Sequence, residues 1–505
     1  MRTQFQFKTF GVIIILLSFQ FVSAQVFNLK AIPNEPGERK ATSIVKLQGL
    51  PISKVSVSIV YGTDSLEVKN AFILNRRNPA KYFETKATLK ELQNGTAEAT
   101  IIFPHSGLEP KSREKAFPFG TKLYFAWART HIPNGATEEL TLNSAVSSFI
   151  VPRPITIAYM GDSFASGEGA KGNGNWVDEA CHRSNKSGGV LAIKKLIRER
   201  QELEFDYVNT TCSGARVIDY FLVAQPVEPS KNATKQDKQL DIVKRWLTNN
   251  RYEDLDILVA DGGGNDIGFG NLVGDGLFSF FRELRTDKAL NQELNRALNN
   301  LPDVYESFMN FLNAEVTPSK IIWMNYPNPL IGEGGRLCYQ HPSLCWGILE
   351  NQISNQDWVY INENIFNKLN QRVEQAATLY GWDLVDVSKK ANNFGICNCE
   401  GYFNTLGQSI LVQGDERGTF HPNERGFNAI YKEAVYKKLD ENVSSIFKER
   451  KMLALKKAKA AAKAKMYLES FKKKNTTLIS NQSDFTNKVK LVKKGTINSN
   501  LKVTK

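Results

Sequence analysis

The chain has 505 residues, of which 42% are hydrophobic, 10% aromatic and 23% charged, enough for two or three domains with a substantial apolar core. Its formal charge of +13 invites a nucleic-acid partner until the charge is located. Residues 447–505 hold 17 Lys/Arg against 3 Asp/Glu, which leaves the rest of the chain at −1, so no nucleic-acid partner is expected for the body.

Residues 1–24 read as a secretory signal. Arg2 and Lys8 make a basic start, Gly11 to Val22 an apolar centre, and Val22-Ser23-Ala24 a small-residue cleavage site. The apolar stretch is too short and wrongly flanked to span a bilayer, and no later window offers about 18 continuous apolar residues. The mature protein is therefore expected to be exported: secreted, periplasmic or at the cell surface. In an oxidising compartment the six cysteines, Cys181, Cys212, Cys338, Cys345, Cys397 and Cys399, read first as disulfides. The expected pairs are Cys181–Cys212 and Cys338–Cys345, with Cys397 and Cys399 closing a local ring or cross-linking to the second pair. A zinc site on Cys181, His182 and Cys212 is the lesser alternative, and neither a metal nor an organic cofactor is expected.

Residues 25–150 read as a separate β-sandwich domain. Lys54 to Val60 alternates apolar with polar side chains, while Ala99 to Phe103 and Leu123 to Trp127 are rich in β-branched or aromatic residues. A spacer or an accessory module for carbohydrate or surface binding is the expected role. Val151-Pro152-Arg153-Pro154 is a stiff junction. Beyond it, residues 151–446 alternate strands with helices. Strands are expected at Ile155–Met160, Glu204–Val208, Leu255–Ala260, Lys320–Asn325 and Trp382–Val387. Helices are expected at Val190–Leu203, Gln236–Leu247, 278–315, Ile361–Tyr380 and Asn423–Leu439. This alternation predicts a parallel sheet covered on both faces.

In such sheets the loops after the strands' carboxyl ends meet along one edge. Here those loops carry Gly161-Asp162-Ser163, Thr211-Cys212-Ser213-Gly214-Ala215 and Asp261-Gly262-Gly263-Gly264-Asn265-Asp266, with Phe420-His421-Pro422-Asn423 just before the last helix. Asp162 suits a helix cap, which leaves Ser163 exposed on a strand-to-helix turn beside backbone N–H groups. Acyl transfer needs a nucleophile, a base and oxyanion donors. Ser163, His421, and the Gly214 N–H with the Asn265 amide supply them in turn.

At this point the chain resembles a known family. Gly161-Asp162-Ser163-Phe164-Ala165-Ser166-Gly167-Glu168-Gly169-Ala170, Cys181-His182-Arg183-Ser184, Cys212-Ser213-Gly214-Ala215 and Gly263 to Phe269 are similar to blocks of the SGNH, or GDSL-type, hydrolases. The closer resemblance is to the secreted bacterial esterase and lipase branch, and it covers about residues 155–440. It implies a flavodoxin-like three-layer sandwich and ester hydrolysis through an acyl-enzyme, with Ser163 as nucleophile and His421 as base. The oxyanion donors it implies are Gly214, Asn265 and the Ser163 N–H. One departure stands out: many members carry an Asp three residues before the histidine, where this chain has Gly418. The Gly418 carbonyl is the first expectation for the group orienting the imidazole, and Asp415 the alternative.

The remaining candidates are weighed as structural. His105 and His131 read as surface residues, His182 as packing beside a disulfide, His341 as a loop residue, and Asp266 as bonding to its own loop. The glycine run lacks the Lys-Ser/Thr of a phosphate-binding loop, and no Gly-x-Ser-x-Gly occurs. Residues 447–505 form a Lys-rich tail, helical over 448–474 and disordered beyond; it is a solvated extension or a contact to an anionic cell surface or polysaccharide. The expected function is a secreted serine esterase or lipase acting on a lipid or an acylated carbohydrate. A carbohydrate O-deacetylase or acyltransferase on the same residues, or a catalytically silent surface-binding protein, are the alternatives.

Overall fold

Ile155–Met160 is an unbroken apolar run, and a strand of that kind is stable only with both faces covered. In the computed structural model it is strand β10, and all six of its residues are buried. The structure describes residues 30–32, 38–46, 52–66, 68, 83–92, 96–103, 119–131, 139–142, 146–172, 174–219, 237–269, 284–340 and 353–495. They fall into two compact units, one of Met1–Asn34, Ala41–Ile101 and Lys122–Ile150, the other of Glu35–Lys40, Ile102–Thr121 and Val151–Lys505. The signal-like stretch, His105, His341 and Cys345 lie outside the described residues.

The first unit is a small β domain of antiparallel sheets. One sheet has the order β1-β2-β6-β5, built from Lys30–Ile32, Lys40–Lys46, Thr96–Ile102 and Thr88–Leu92. The other has the order β4-β3-β7-β8, built from Phe83–Lys86, Val55–Gly62, Lys122–His131 and Glu139–Leu142, with β9 (Ser147–Ile150) pairing β7. Alternation sets the inner face: Ala97, Ala99 and Ile101 are buried while their neighbours are not. His131 ends β7, paired with Val55.

The second unit carries a five-stranded, wholly parallel sheet of order β11-β10-β12-β13-β14. Its other strands are Phe205–Asn209, Ile257–Ala260, Lys320–Met324 and Asp383–Val385. Numbered within the unit, this is the order 2-1-3-4-5 of a flavodoxin-like α/β sandwich, whose switch point lies at the first strand. Helix α2 (Gly188–Glu199) packs with the terminal helix α7 (Glu433–Gly495), and α4 (Lys288–Glu315) with α6 (Asn367–Tyr380). Helix α3 (Gln239–Asn249) links β11 to β12 and contacts β10. Gly381 ends α6 in the left-handed conformation that glycine tolerates. A π-helical turn, Asn362–Phe366, joins α5 (Asn355–Ile361) to α6.

Two expectations are corrected at the C-terminus. The last helix does not stop at Leu439, and residues 475–495 are helical rather than disordered. Leu439, Val443 and Ile446 are buried, and Arg450 holds Asp256 through two 2.7 Å hydrogen bonds. Beyond that anchor, from Leu455 to Lys472, every side chain is exposed. An Ala/Lys sequence keeps helical propensity without a buried face, which explains why the helix outlasts its packing. Among the described residues no helix is long and apolar enough to cross a membrane.

Candidate active site

The site begins where β10 breaks. Gly161 sits at φ 143°, and a Cβ there would collide with Asp261 and Ala165, so only glycine can make the turn. Asp162 then caps the short helix α1 (Ser163–Ser166), its Oδ1 accepting from the Phe164 N–H at 3.1 Å. Its other oxygen accepts from the Tyr326 hydroxyl at 2.6 Å, and its own N–H donates to Asp261 Oδ1 at 3.0 Å. Burial pushes the Asp162 carboxyl up to about 6, against the pull of its Tyr326 and Phe164 hydrogen bonds. Burial and the neighbouring Asp162 raise Asp261 further.

Ser163 is half-buried at the head of α1, and its hydroxyl oxygen is 2.7 Å from His421 Nε2. His421 is buried and leans on the Phe164 ring, with ring centroids 4.6 Å apart. Its Nδ1 faces the Thr419 carbonyl at 3.2 Å. A carbonyl can only accept, so Nδ1 carries the proton and Nε2 presents its lone pair to the serine O–H. This corrects both expected orienting groups. The Gly418 carbonyl instead accepts the backbone N–H of His421, and the Asp415 carboxylate accepts from Gln413 Nε2 and the Arg417 N–H. The loop can curl this way because Phe420 takes a left-handed φ of 63° while its ring is buried, edge-on to Trp358. Burial pulls the imidazole below its ordinary value, and the Glu168 carboxylate and the Thr419 carbonyl oppose that pull.

Ser163 and Asn265 line one small cleft, partly open to solvent, with Phe164, Phe269, Tyr326, Phe366 and Leu369 as apolar walls. Asn265 Nδ2 donates to the Ala215 carbonyl at 3.0 Å, which engages one of the two amide protons. Gly214 does not line this cleft. It is exposed on the adjoining loop at φ 81°, and the loop is fastened to the end of β10 by the Cys212 N–H on the Gly161 carbonyl. Asp266 bonds the neighbouring loop rather than its own, accepting the N–H groups of Val217 and Ile218 at 2.9 Å each. The Gly264 N–H is engaged by the Tyr326 hydroxyl at 3.0 Å.

Cys181 and Cys212 form a disulfide, which takes both thiols away from any zinc site with His182. Cys338 pairs with Cys397, not Cys345. The reason lies in the backbone: Cys338 N–H donates to the Leu330 carbonyl and Ile396 N–H to the Pro329 carbonyl, so one short segment gathers both cysteines. Cys399 is disulfide-bonded as well.

His182 does more than pack beside a disulfide. It stacks on Trp176 with centroids 4.5 Å apart and meets Glu168 through Nδ1 at 2.8 Å. With Asp415 these two could gather around a cation, since one ligand atom from each lies within 4.8 Å of the others. The Gln413 amide already spans both carboxylates, at 2.5 Å to Glu168 and 2.5 Å to Asp415. Sequence reasoning missed Glu168, Gln413, Tyr326 and Phe164, although Glu168 lies inside the first motif.

A parallel sheet of order 2-1-3-4-5, with a serine and a histidine meeting at its carboxyl edge, is the framework of a hydrolase of flavodoxin-like α/β type. Residues 157–434 match the model of the GDSL-like lipase/acylhydrolase family, and the chain belongs to that family. Similar solved structures include the extracellular lipase from Streptomyces rimosus, at 19% identity over 56% of this chain and 99% of that one, TM-score 0.40. Another is phospholipase A1 from Streptomyces albidoflavus, at 17% identity over 57% and 100%, TM-score 0.38. A family two carbohydrate esterase from Cellvibrio japonicus matches at 10% identity over 83% and 95%, TM-score 0.29. No curated protein sequence matches the chain.

Proposed function

We propose that this protein is an exported carboxylic ester hydrolase in which Ser163 is the nucleophile and His421 the base. The observation that carries the reading is the 2.7 Å contact between the serine hydroxyl and an Nε2 whose lone pair is fixed by Nδ1–H on the Thr419 carbonyl. Ser163 attacks the ester carbonyl as its proton passes to Nε2. The tetrahedral oxyanion is held by the Ser163 N–H and the second Asn265 amide proton, and Gly214, outside this cleft, is not assigned to it. Collapse releases the alcohol, which takes the proton from His421, and leaves an acyl-serine. Water then attacks the acyl carbon while His421 accepts its proton, and a second collapse returns that proton to Ser163 and frees the acid.

The apolar walls of the cleft, Phe269, Phe366 and Leu369, suit an acyl group rather than a charged one. Disulfides at Cys181–Cys212 and Cys338–Cys397 support an oxidising compartment. We assign hydrolysis to residues 151–446, an accessory role to the β domain, and contact with an anionic cell surface or polysaccharide to the exposed basic helix. Salt-sensitive surface binding that survives deletion of 447–505 would refute this last assignment.

The test is hydrolysis of p-nitrophenyl esters from acetate to palmitate by the mature protein and by Ser163→Ala. Turnover is expected in the first and a loss of at least about 10³-fold in the second. Folded protein with no turnover on any ester, or a variant as active as its parent, would overturn the reading.

A further inference from the structure

The place where many relatives keep a histidine-orienting aspartate is a glycine here, and it has no room for a side chain. A Cβ on Gly418 would lie 2.8 Å from both Gln413 Oε1 and Ser409 Oγ. Behind the imidazole, however, stands a carboxylate that the mechanism above does not use. Glu168 is buried, its side chain 0% exposed. It meets His182 Nδ1 at 2.8 and 3.1 Å and accepts from Gln413 Nε2 at 2.5 Å. Its backbone reaches both halves of the site. The Glu168 N–H donates to the Ser163 carbonyl at 3.0 Å, and the next N–H, of Gly169, donates to Gln413 Oε1 at 2.9 Å.

Gly169 is pressed against the base itself. It has φ 88°, and a Cβ there would approach His421 Cβ to 3.2 Å and Asn404 Nδ2 to 2.5 Å. Asn404 completes the clamp: its Nδ2 donates to the Gly169 carbonyl at 2.9 Å and its backbone N–H to the His421 carbonyl at 3.0 Å. The 168–169 peptide is thus wedged between the nucleophile turn and the base loop.

A carboxylate this buried persists only if it is paired and hydrogen-bonded, or else protonated. Burial pushes Glu168 up, but its bond and charge pairing with His182 outweigh that and hold it below the usual carboxylate range. His182 answers in kind: burial lowers it, and Glu168 more than restores it, so its affinity for a proton is raised. The groups that face the His421 ring are Ser163 and Glu168 from the nucleophile turn, with His182 behind Glu168, and Asp415 with the Thr419 and Arg417 carbonyls on its own loop. Among the charged ones Glu168 acts on the imidazole most.

We propose that Glu168 is the positioning carboxylate of this site: a buried charge that stabilises the His421 imidazolium through space and, through Gln413 and Gly169, locks the base loop onto the nucleophile turn. It does at one remove what a triad aspartate does by direct contact. The proposal rests on the reading of Ser163 and His421 as nucleophile and base.

The experiment compares full-length wild type with Glu168→Gln, which keeps the shape and loses the charge, and Glu168→Asp, which keeps the charge and shortens the arm. Two readouts are taken: the pH profile of kcat/KM on p-nitrophenyl butyrate, and the NMR titration of the His421 ring, assigned with His421→Asn. In Glu168→Gln the His421 pKa and the acid limb are expected to move to lower pH by at least about half a unit, with kcat down about tenfold or more and KM little changed. Glu168→Asp is expected to keep the wild-type limb and more of the activity.

A merely structural role reverses that order, with the isosteric glutamine the milder change and the His421 titration unmoved in both; this result would overturn the proposal. Should Glu168→Gln fail to fold, Glu168→Gln/His182→Asn removes both partners at once, and a downward shift in the same direction but smaller is expected of it, since any charge on His182 is lost too. The NMR arm needs no turnover, so a wild type inactive on every ester would sink the hydrolase reading while Glu168's effect on His421 is still read.

Discussion

The Tyr326 hydroxyl donates to Asp162 Oδ2 at 2.6 Å and accepts the Gly264 N–H at 3.0 Å, so one phenol ties the cap of the serine turn to the loop that carries Asn265. Tyr326→Phe would leave a buried carboxylate oxygen and a buried N–H unpaired. A loss of about 1–3 kcal/mol in stability is expected, together with about a tenfold fall in kcat as serine and amide lose their common reference. Urea unfolding and ester kinetics on the same preparation check both.

Asp162 makes a second prediction, in pH. Its folded-state pKa of about 6 lies above the ordinary aspartate value of 3.8. A raised carboxyl contributes stability that is fully present below the unfolded pKa and lost as pH rises through the folded one. Asp162→Asn, which still caps a helix, is therefore expected to gain on wild type between about pH 4 and pH 7. Thermal melts of both proteins at the two pH values measure the change. A gap that stays constant would show that the buried acid does not titrate in this window.

In the proposed mechanism His421 must be neutral to accept the serine proton, and burial lowers its affinity for a proton. The acid limb of kcat/KM is expected below the ordinary histidine value of about 6.5, so activity persists into mildly acidic buffer. A pH–rate profile with a limb above that value would contradict the environment described for the ring.

Restoring the familiar aspartate should not help. Gly418→Asp would drive a side chain into Gln413 and Ser409, which help to fix the base loop. An overpacking cost of about 1–3 kcal/mol and lower, not higher, kcat are expected. A gain in activity would mean that the loop reorganises around the new carboxylate.

Much of this was legible in the residues because it is local. Apolar runs set the five parallel strands, and Gly161-Asp162-Ser163 announces a strand-to-helix break, since only glycine fits there and aspartate caps the helix that comes next. The features that escaped are those that local reading cannot weigh. The Thr419 carbonyl that orients His421 is a backbone group, and every residue has one. Glu168 and Gln413 meet across 245 positions, and the Cys338 partner is decided by a third segment that pairs with both flanks.

The Cys338–Cys397 bridge closes 59 positions of chain, which include α5, α6 and β14. By loop closure alone a cross-link of that span contributes about 4 kcal/mol. Because Cys399 is disulfide-bonded as well and stays so in Cys338→Ser/Cys397→Ser, that variant is expected to unfold at lower denaturant by clearly less than this amount in urea titration, with the carboxyl edge of the sheet intact while the protein stays folded.

Ser163 and His421 lie 258 positions apart, one at the first turn of the sheet and the other in its last loop. A chain emerging N-terminus first carries its serine long before the imidazole exists to deprotonate it. On the proposed mechanism, a nascent chain cannot cleave an ester until its last loop has been made. A truncation ahead of residue 421 is expected, on the same mechanism, to abolish activity outright rather than in part, because it removes the base.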